Sequence, residues 1–453
     1  MSYTIGLISL GCAKNRVNSE QMLFLLKEAG FYIQAEVNGA DAVIVNTCGF
    51  IESAKTEAIE TILELGRLKE EGRIRWIIVA GCLPERYKNE ILPELPEIDA
   101  VVGVGGFEHI VKAVRAVTGE DKGKPAFFGD IHTAVSETNR ILTTSPSWAY
   151  LKIAEGCDNR CAYCVIPDIR GRFRSRPMEN ILKEAETLAD RGVKELILVA
   201  QDTTAYGFDL YEKYALPELL DALCNIKGLR WIRLHYLYPN KIDDKLVDTV
   251  ARNEKVVKYL DIPIQHISDN ILEKMRRRGS GSEIRAVFRR IREKIPGVVL
   301  RTSVIAGLPG EGEKEFDELC AFLREAEIER AGVFTYSPEE GTDAALFDRP
   351  DTETAERRAR ILTDISQRIY EDFDERRIGK IETVLIEGKD GAGFYGRSFA
   401  ESPEIDGYIT IEAEDLVIGE FYDVKITAAG LGVRYLVTSG LPRRCAPRND
   451  GVG

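Results

Sequence analysis

Twice along the chain, short apolar runs alternate with amphipathic segments of helix length, and this rhythm restricts the fold more than any other feature. Apolar runs joined by helix-length connections suit parallel strands, which need long crossovers and cover on both faces. Over residues 1–118 the runs TIGLISLGC, ADAVIVNTCGF and IRWIIVAGC read as buried strands, with NSEQMLFLLKEAG and SAKTEAIETILELGRLKEE as helices between them. The expectation is an α/β domain built on a parallel sheet with helices on both faces. TGEDKGKPAFFGD and the later TTSPS read as a linker over 119–147. The second alternation, over 148–376, contains AYLKIA, ELILVAQ, WIRLHYL, KVVKYLDIPI, VVLRTSVIAG and RAGVFTYS, six strands of a partial (βα)6 barrel. Over 379–442 the texture changes to ETVLIEG, YITIEA and FYDVKITAA with Gly-containing turns, the pattern of a small antiparallel β barrel. Residues 443–453 read as a disordered tail.

The chain has nine cysteines, no basic-apolar-small pattern at its start and no apolar run long enough to span a bilayer. A cytoplasmic protein without membrane contact is expected. In a reducing compartment clustered cysteines point to metal binding or catalysis rather than to disulfides. Cys157, Cys161 and Cys164 form a Cys-x3-Cys-x2-Cys triplet within KIAEGCDNRCAYCVIPDIRG, directly after the first barrel strand. A structural zinc site wants four closed ligands and usually paired spacing. A 4Fe-4S cluster held by three thiolates instead leaves one iron open, a position suited to the amino and carboxylate groups of S-adenosylmethionine. Barrel enzymes keep their chemistry at the C-terminal strand ends, where this triplet lies.

Cys12, Cys48 and Cys82 are far apart in sequence, yet each follows an apolar strand. In a parallel sheet all three fall on the carboxyl edge, where open α/β sheets bind ligands. They could hold a second 4Fe-4S cluster, with Gly11 and Gly81 allowing close backbone approach. The alternative is three ordinary buried cysteines.

The triplet Cys-x3-Cys-x-aromatic-Cys, with Tyr163 as the aromatic residue, resembles the motif of the radical S-adenosylmethionine enzymes. Two such cysteine sets followed by a small β barrel resemble, across nearly the whole chain, the methylthiotransferases within that group. The resemblance implies two 4Fe-4S clusters and S-adenosylmethionine as cofactors, an electron donor such as flavodoxin, and a C-terminal TRAM domain that binds substrate. It implies methylation of sulfur at the N-terminal cluster, hydrogen abstraction from the substrate by a 5'-deoxyadenosyl radical, and transfer of the methylthio group to the substrate carbon.

Members of that family modify an aspartate of ribosomal protein S-12 or an isopentenyladenosine beside the tRNA anticodon. SLGCAKNRVNSE, LVAQDTTAYGFDLY, YSPEEGTDAA and YGRSFAESPEIDG resemble the ribosomal-protein branch, although Asn18 stands where an aspartate is expected. Charge adds an argument of its own. The chain carries a formal charge of -13, and between Lys380 and Leu441 five Lys/Arg face eleven Asp/Glu. An RNA-binding module needs a basic face, so this balance argues against direct nucleic-acid binding and favours a basic protein partner. The resemblance places Thr302, Ser303, Gly307 and Pro309 of LRTSVIAGLPGE in a cofactor pocket, with Tyr163 beside the cluster. Gln201 and Arg233 stand at or near strand ends, a position that fits either contact with the methionine or ribose groups of the cofactor or a structural hydrogen bond. His235 and His266 read as satisfied core residues, MRRRGS as a solvated basic run, and Cys224, Cys320 and Cys445 as cysteines without a partner motif. A noncatalytic iron-sulfur or zinc scaffold is the remaining alternative.

Overall fold

The computed structural model describes residues 3–119, 123–430, 434–437 and 443–444, the last two stretches as backbone only. Three six-stranded sheets follow one another along the chain. In the first, Thr4–Ser9 pairs in parallel with Tyr32–Gln34 on one side and with Ala42–Thr47 on the other. Trp76–Gly81, Ala100–Gly103 and Ala126–Phe127 continue the sheet outward, all parallel. Alternate residues of Ala42–Thr47 serve opposite cores. Ile44 packs with Met22, Leu26, Ala113 and Val114, whereas Val43 and Val45 pack with Ala58, Ile62 and Leu65. Helices therefore cover both faces, as the apolar runs require.

The segment read as a linker is built into the structure. Ala126–Phe127 is the outer strand of this sheet, and Glu20 gathers Ile141, Thr143 and Arg140 through its backbone oxygen and carboxylate.

The second sheet contains all six anticipated barrel strands in sequential order, Trp148–Lys152, Glu195–Val199, Trp231–His235, Val256–Asp261, Val299–Ala306 and Arg330–Thr335, each parallel to its neighbour. The outer face of the barrel buries Leu196, Leu198, Ile232, Leu234, Leu260 and Val304 beneath the helices in one large core. The inner face is more polar, and the C-terminal domain packs onto it. That domain is an antiparallel sheet with one parallel pair, Tyr408–Ile411 beside Arg434–Val437. Where a disordered tail is expected, Arg443–Arg444 pairs antiparallel with Tyr422 and Asp423; residues 445–453, with Cys445, lie outside the described residues.

YGRSFAESPEIDG is the seam between domains. Arg397 donates to Glu195 (2.7 Å), Ser402 Oγ lies 3.0 Å from His235 Nε2, and Tyr150 and Tyr259 donate to Glu404 and Asp406 (both 2.8 Å). Trp231 meets Phe421 edge to face at 4.7 Å. Arg16 of the N-terminal domain reaches the same Glu404 at 2.9 Å, so all three domains meet there.

Candidate active site

Strand Trp148–Lys152 delivers the chain to the barrel mouth. Ala154–Glu155 then pairs antiparallel with Arg174–Ser175, which closes the intervening cysteine loop on itself. Cys157 N donates to Gly171 O (3.1 Å), and Cys164 N donates to Cys161 O (3.0 Å), which sets the turn between the last two cysteines. Ala162 N donates to Met275 O and Ala344 N to Ala162 O (both 2.9 Å), pinning the loop between two other barrel loops. The three cysteines line one cavity of ≈ 400 Å³, with Asp158, Arg160, Asp168, Arg172, Arg276 and Asp343 around it. Burial pushes the Cys157 thiol up to about 11 and raises Cys164 as well, so a metal that binds there displaces their protons.

Cys12 ends the approach to helix Ala13–Glu28, Cys48 follows strand Ala42–Thr47, and Cys82 opens helix Cys82–Glu94. The sheet order reverses between Thr4–Ser9 and Ala42–Thr47, so Cys12 and Cys48 flank the switch point at which such sheets bind ligands. The approach is close: a Cβ on Gly11 would stand 2.8 Å from Cys48 Cβ, and one on Gly81 (φ +97°) 2.6 Å from Thr47 O. Burial raises Cys48 to about 12 and raises Cys82. It opposes ionisation of Cys12 too, but Lys14 and Arg170 outweigh it and hold that thiol below its ordinary range.

Arg170 is the residue that sequence reasoning missed. One of its nitrogens lies 3.3 Å from Cys82 Sγ and also contacts Asn15 Oδ1, while the other donates to Glu155 at 2.9 Å. It is the last residue of helix Ile166–Arg170, which begins two positions after Cys164, so one short helix connects the two cysteine sets. Arg277 plays the corresponding part at the first set. It lies 3.6 Å from Cys161 Sγ and donates to Tyr163 Oη at 2.9 Å, although MRRRGS reads as a solvated run. Its neighbour Arg276 is exposed and pairs with Asp343. Periodicity gave the only available signal: Arg277 follows the short helix Asp269–Lys274, whose Ile271 and Leu272 face inward while Asp269, Asn270 and Glu273 are exposed.

The other candidates do not line the cavity. Arg233 is fully buried and donates to Glu195 (2.8 Å) and Phe399 O (2.9 Å), the structural hydrogen bonds that its position also allowed, while its second Nη has no hydrogen-bond partner among the described residues. Thr302 points to the buried side of its strand and donates to Ile262 O (2.8 Å). Gly307 donates its N–H to Glu311 and leaves no room for a Cβ against Ala355; Pro309 is buried beside it. Ser303 lies on the half-exposed face of the strand. Gln201 donates to Glu155 (2.9 Å), and its Oε1 is buried without a hydrogen-bond partner among the described residues. His235 and His266 are buried and contact Ser402 and Ser268 respectively through one ring nitrogen, but they are not the fully satisfied residues expected: Nδ1 of His235 has no hydrogen-bond partner among the described residues, and Nε2 of His266 has only Glu311 at 3.4 Å.

No three His, Cys, Asp or Glu side chains among the described residues surround a point that could hold a single metal ion. This bears on a one-ion site; the thiolates of a cubane bind separate irons and stand further apart.

The sequence matches the Radical SAM superfamily over residues 151–323, the Uncharacterized protein family UPF0004 over 4–103 and the TRAM domain over 378–431. It is 50% identical over 437 residues to the ribosomal protein uS12 methylthiotransferase RimO of Acetivibrio thermocellus, covering 94% of this chain and 96% of that one. The chain belongs to the radical S-adenosylmethionine methylthiotransferases. A second relative of the same description, from Pelotomaculum thermopropionicum, is 50% identical over 436 residues, covering 94% of this chain and 97% of its own. Among solved structures, the radical S-adenosylmethionine methyltransferase TsrM of Kitasatospora setae superposes with a TM-score of 0.54 at 16% identity over 73% of each chain, a likeness of fold alone. As a radical S-adenosylmethionine methylthiotransferase the enzyme uses an iron-sulfur cluster and S-adenosylmethionine. No helix among the described residues is long and apolar enough to cross a membrane.

Proposed function

We propose that the enzyme inserts a methylthio group at the β-carbon of an aspartate of ribosomal protein S-12, in the cytoplasm. The observation that carries this reading is the description shared by relatives 45–50% identical over 93–95% of the chain, all ribosomal protein uS12 methylthiotransferases. We assign Cys157, Cys161 and Cys164 to one 4Fe-4S cluster and Cys12, Cys48 and Cys82 to a second. When bound, the first supplies the electron that cleaves S-adenosylmethionine, delivered by a donor such as flavodoxin, and the second supplies sulfur.

The protein's own residues hold and balance these groups. Arg277 and Arg170 each place a buried guanidinium beside one set of thiolates, which offsets negative charge in a low-dielectric setting. Glu155 fixes Arg170 and Gln201 together, and the unpartnered Gln201 Oε1 is free to accept from an amino group of the cofactor. Ser303 faces the same interior.

The acid surplus of the C-terminal domain contributes less than the sequence suggests. Six of its eleven acids, Glu382, Glu387, Glu401, Glu404, Asp406 and Glu420, are in ion pairs with Arg or Lys. The relatives therefore carry the choice of substrate over tRNA. Mass spectrometry of S-12 from cells with and without the gene is expected to find one methylthio group only where the enzyme is present. An unmodified S-12 together with a methylthio-adenosine in tRNA would overturn the reading.

A further inference from the structure

The loop after strand Glu195–Val199 contains seven consecutive exposed residues, 208–214. Four are large and apolar: Phe208 is 55% exposed, Leu210 45%, Tyr211 37% and Tyr214 41%. Exposed large apolar side chains gathered on one surface segment are a starting point for an interaction site. The backbone beneath it is tied down. Gly207 N donates to Ser175 Oγ (2.9 Å), Tyr211 N to Gly207 O (2.7 Å), Ala215 N to Tyr206 O (2.8 Å) and Ser175 N to Asp209 Oδ2 (2.8 Å). Phe208 and Tyr214 stack at 5.1 Å. A surface already ordered in this way loses little side-chain freedom on binding.

The patch is tied to the segment that lines the cavity. Its strand pairs with Trp148–Lys152, whose own loop carries Cys157. Ser175, which anchors Asp209, is three residues past the cavity-lining Arg172 and therefore within about 10 Å of it along the chain. Leu346, 87% exposed, lies three residues past another lining residue, Asp343.

We infer that residues 208–214 form a docking surface for the folded body of a basic protein substrate, which presents its target side chain to the cavity. The inference rests on the reading of a ribosomal-protein substrate. A cavity of ≈ 400 Å³ whose cysteines are assigned to a cluster that works on S-adenosylmethionine has no room for a protein domain, so most contact with a protein substrate is made outside it and next to its mouth. The segment's charge favours protein over RNA. It holds Asp209, Glu212 and one cation, Lys213, which is paired with Glu218, whereas phosphate contacts need cations. Exposed aromatic residues are the usual anchors of protein interfaces.

The test compares wild type with a Phe208→Ser/Leu210→Ser double variant and with Leu346→Ser, using purified S-12 as substrate. The double variant is expected to raise KM for S-12 about tenfold or more, with kcat at saturation within about twofold. Its cleavage of S-adenosylmethionine without S-12 and its melting temperature stay at wild-type values. Leu346→Ser raises KM in the same direction. An unchanged KM in both variants overturns the docking surface, and so does a KM rise accompanied by a fall in melting temperature and in S-adenosylmethionine cleavage, which would make the patch structural. If wild type does not modify S-12 at all, the substrate reading itself fails and takes the docking surface with it.

Discussion

Anaerobically reconstituted enzyme is expected to hold about eight irons and eight sulfides per chain, falling to about four of each in the Cys157→Ala/Cys161→Ala/Cys164→Ala variant. The reciprocal variant, Cys12→Ala/Cys48→Ala/Cys82→Ala, should also retain about four, because the two sets lie in different domains and lean on different guanidinium groups, Arg277 and Arg170. The variants divide the chemistry differently. The first should no longer cleave S-adenosylmethionine; the second should still cleave it reductively but leave S-12 without a methylthio group. A wild-type count of about four irons, all lost with the first set, would make the N-terminal cysteines structural and remove the second cluster from the reading.

The second large effect concerns the seam between barrel and C-terminal domain. Arg397, Glu195 and Arg233 are all fully buried, and Arg397 contacts Glu387 as well as Glu195. Arg397→Met removes one partner from a buried network, which takes the paired cation from Glu387 and leaves Glu195 with Arg233 alone, at a cost of about 3–5 kcal/mol. The first thermal transition should fall by on the order of 10 °C. Glu412→Gln, on an exposed residue of the same domain, should stay within about 0.5 kcal/mol of wild type. Equal transitions in the two variants would show that the seam contributes little.

Acid should weaken the same seam. Burial opposes ionisation of Glu195 and Glu401, but Arg397 and Arg233 beside the first, and Arg377 and Arg330 beside the second, outweigh it. Both carboxyls are held below the usual range, Glu401 at about 2. A depressed folded-state value gives stability that is complete above the unfolded value, about 4.3 for glutamate, and is lost as pH falls through the folded one. Melting temperature should therefore decline progressively from about pH 4.3 toward about pH 2. The decline should be shallower in Arg397→Met, where Glu195 has lost one of its two cations.

The barrel strands and both cysteine sets were legible because they depend on local pattern: an apolar run marks a strand, and a cysteine after it falls on the carboxyl edge. Ala126–Phe127 escaped because two residues in a polar, Gly-rich context carry no periodicity, and only pairing with Val101 and Val102 makes them a strand. Buried ion pairs were illegible for a different reason. Glu195 meets Arg397 across 202 positions, and nothing local in ELILV marks its glutamate as inward-facing. The acid count misled for the same cause, since composition records charges but not the partners that neutralise them. Arg233 illustrates the converse: its strand-end location left a cofactor contact and a structural hydrogen bond both open, and only the packed fold shows its hydrogen bonds to Glu195 and Phe399 O.

Helix Ile166–Arg170 has a consequence for the order in which the protein is assembled. Residues 1–127, which hold all six strands of the first sheet, leave the ribosome first, but the guanidinium beside Cys82 is encoded downstream, just after Cys164. Until that helix arrives, Cys82 lacks the buried guanidinium that stands 3.3 Å from its sulfur, and Lys14 is the cation left beside Cys12. The N-terminal site is thus completed by the same loop that carries the barrel's cysteines, and it stays incomplete until that loop has been made.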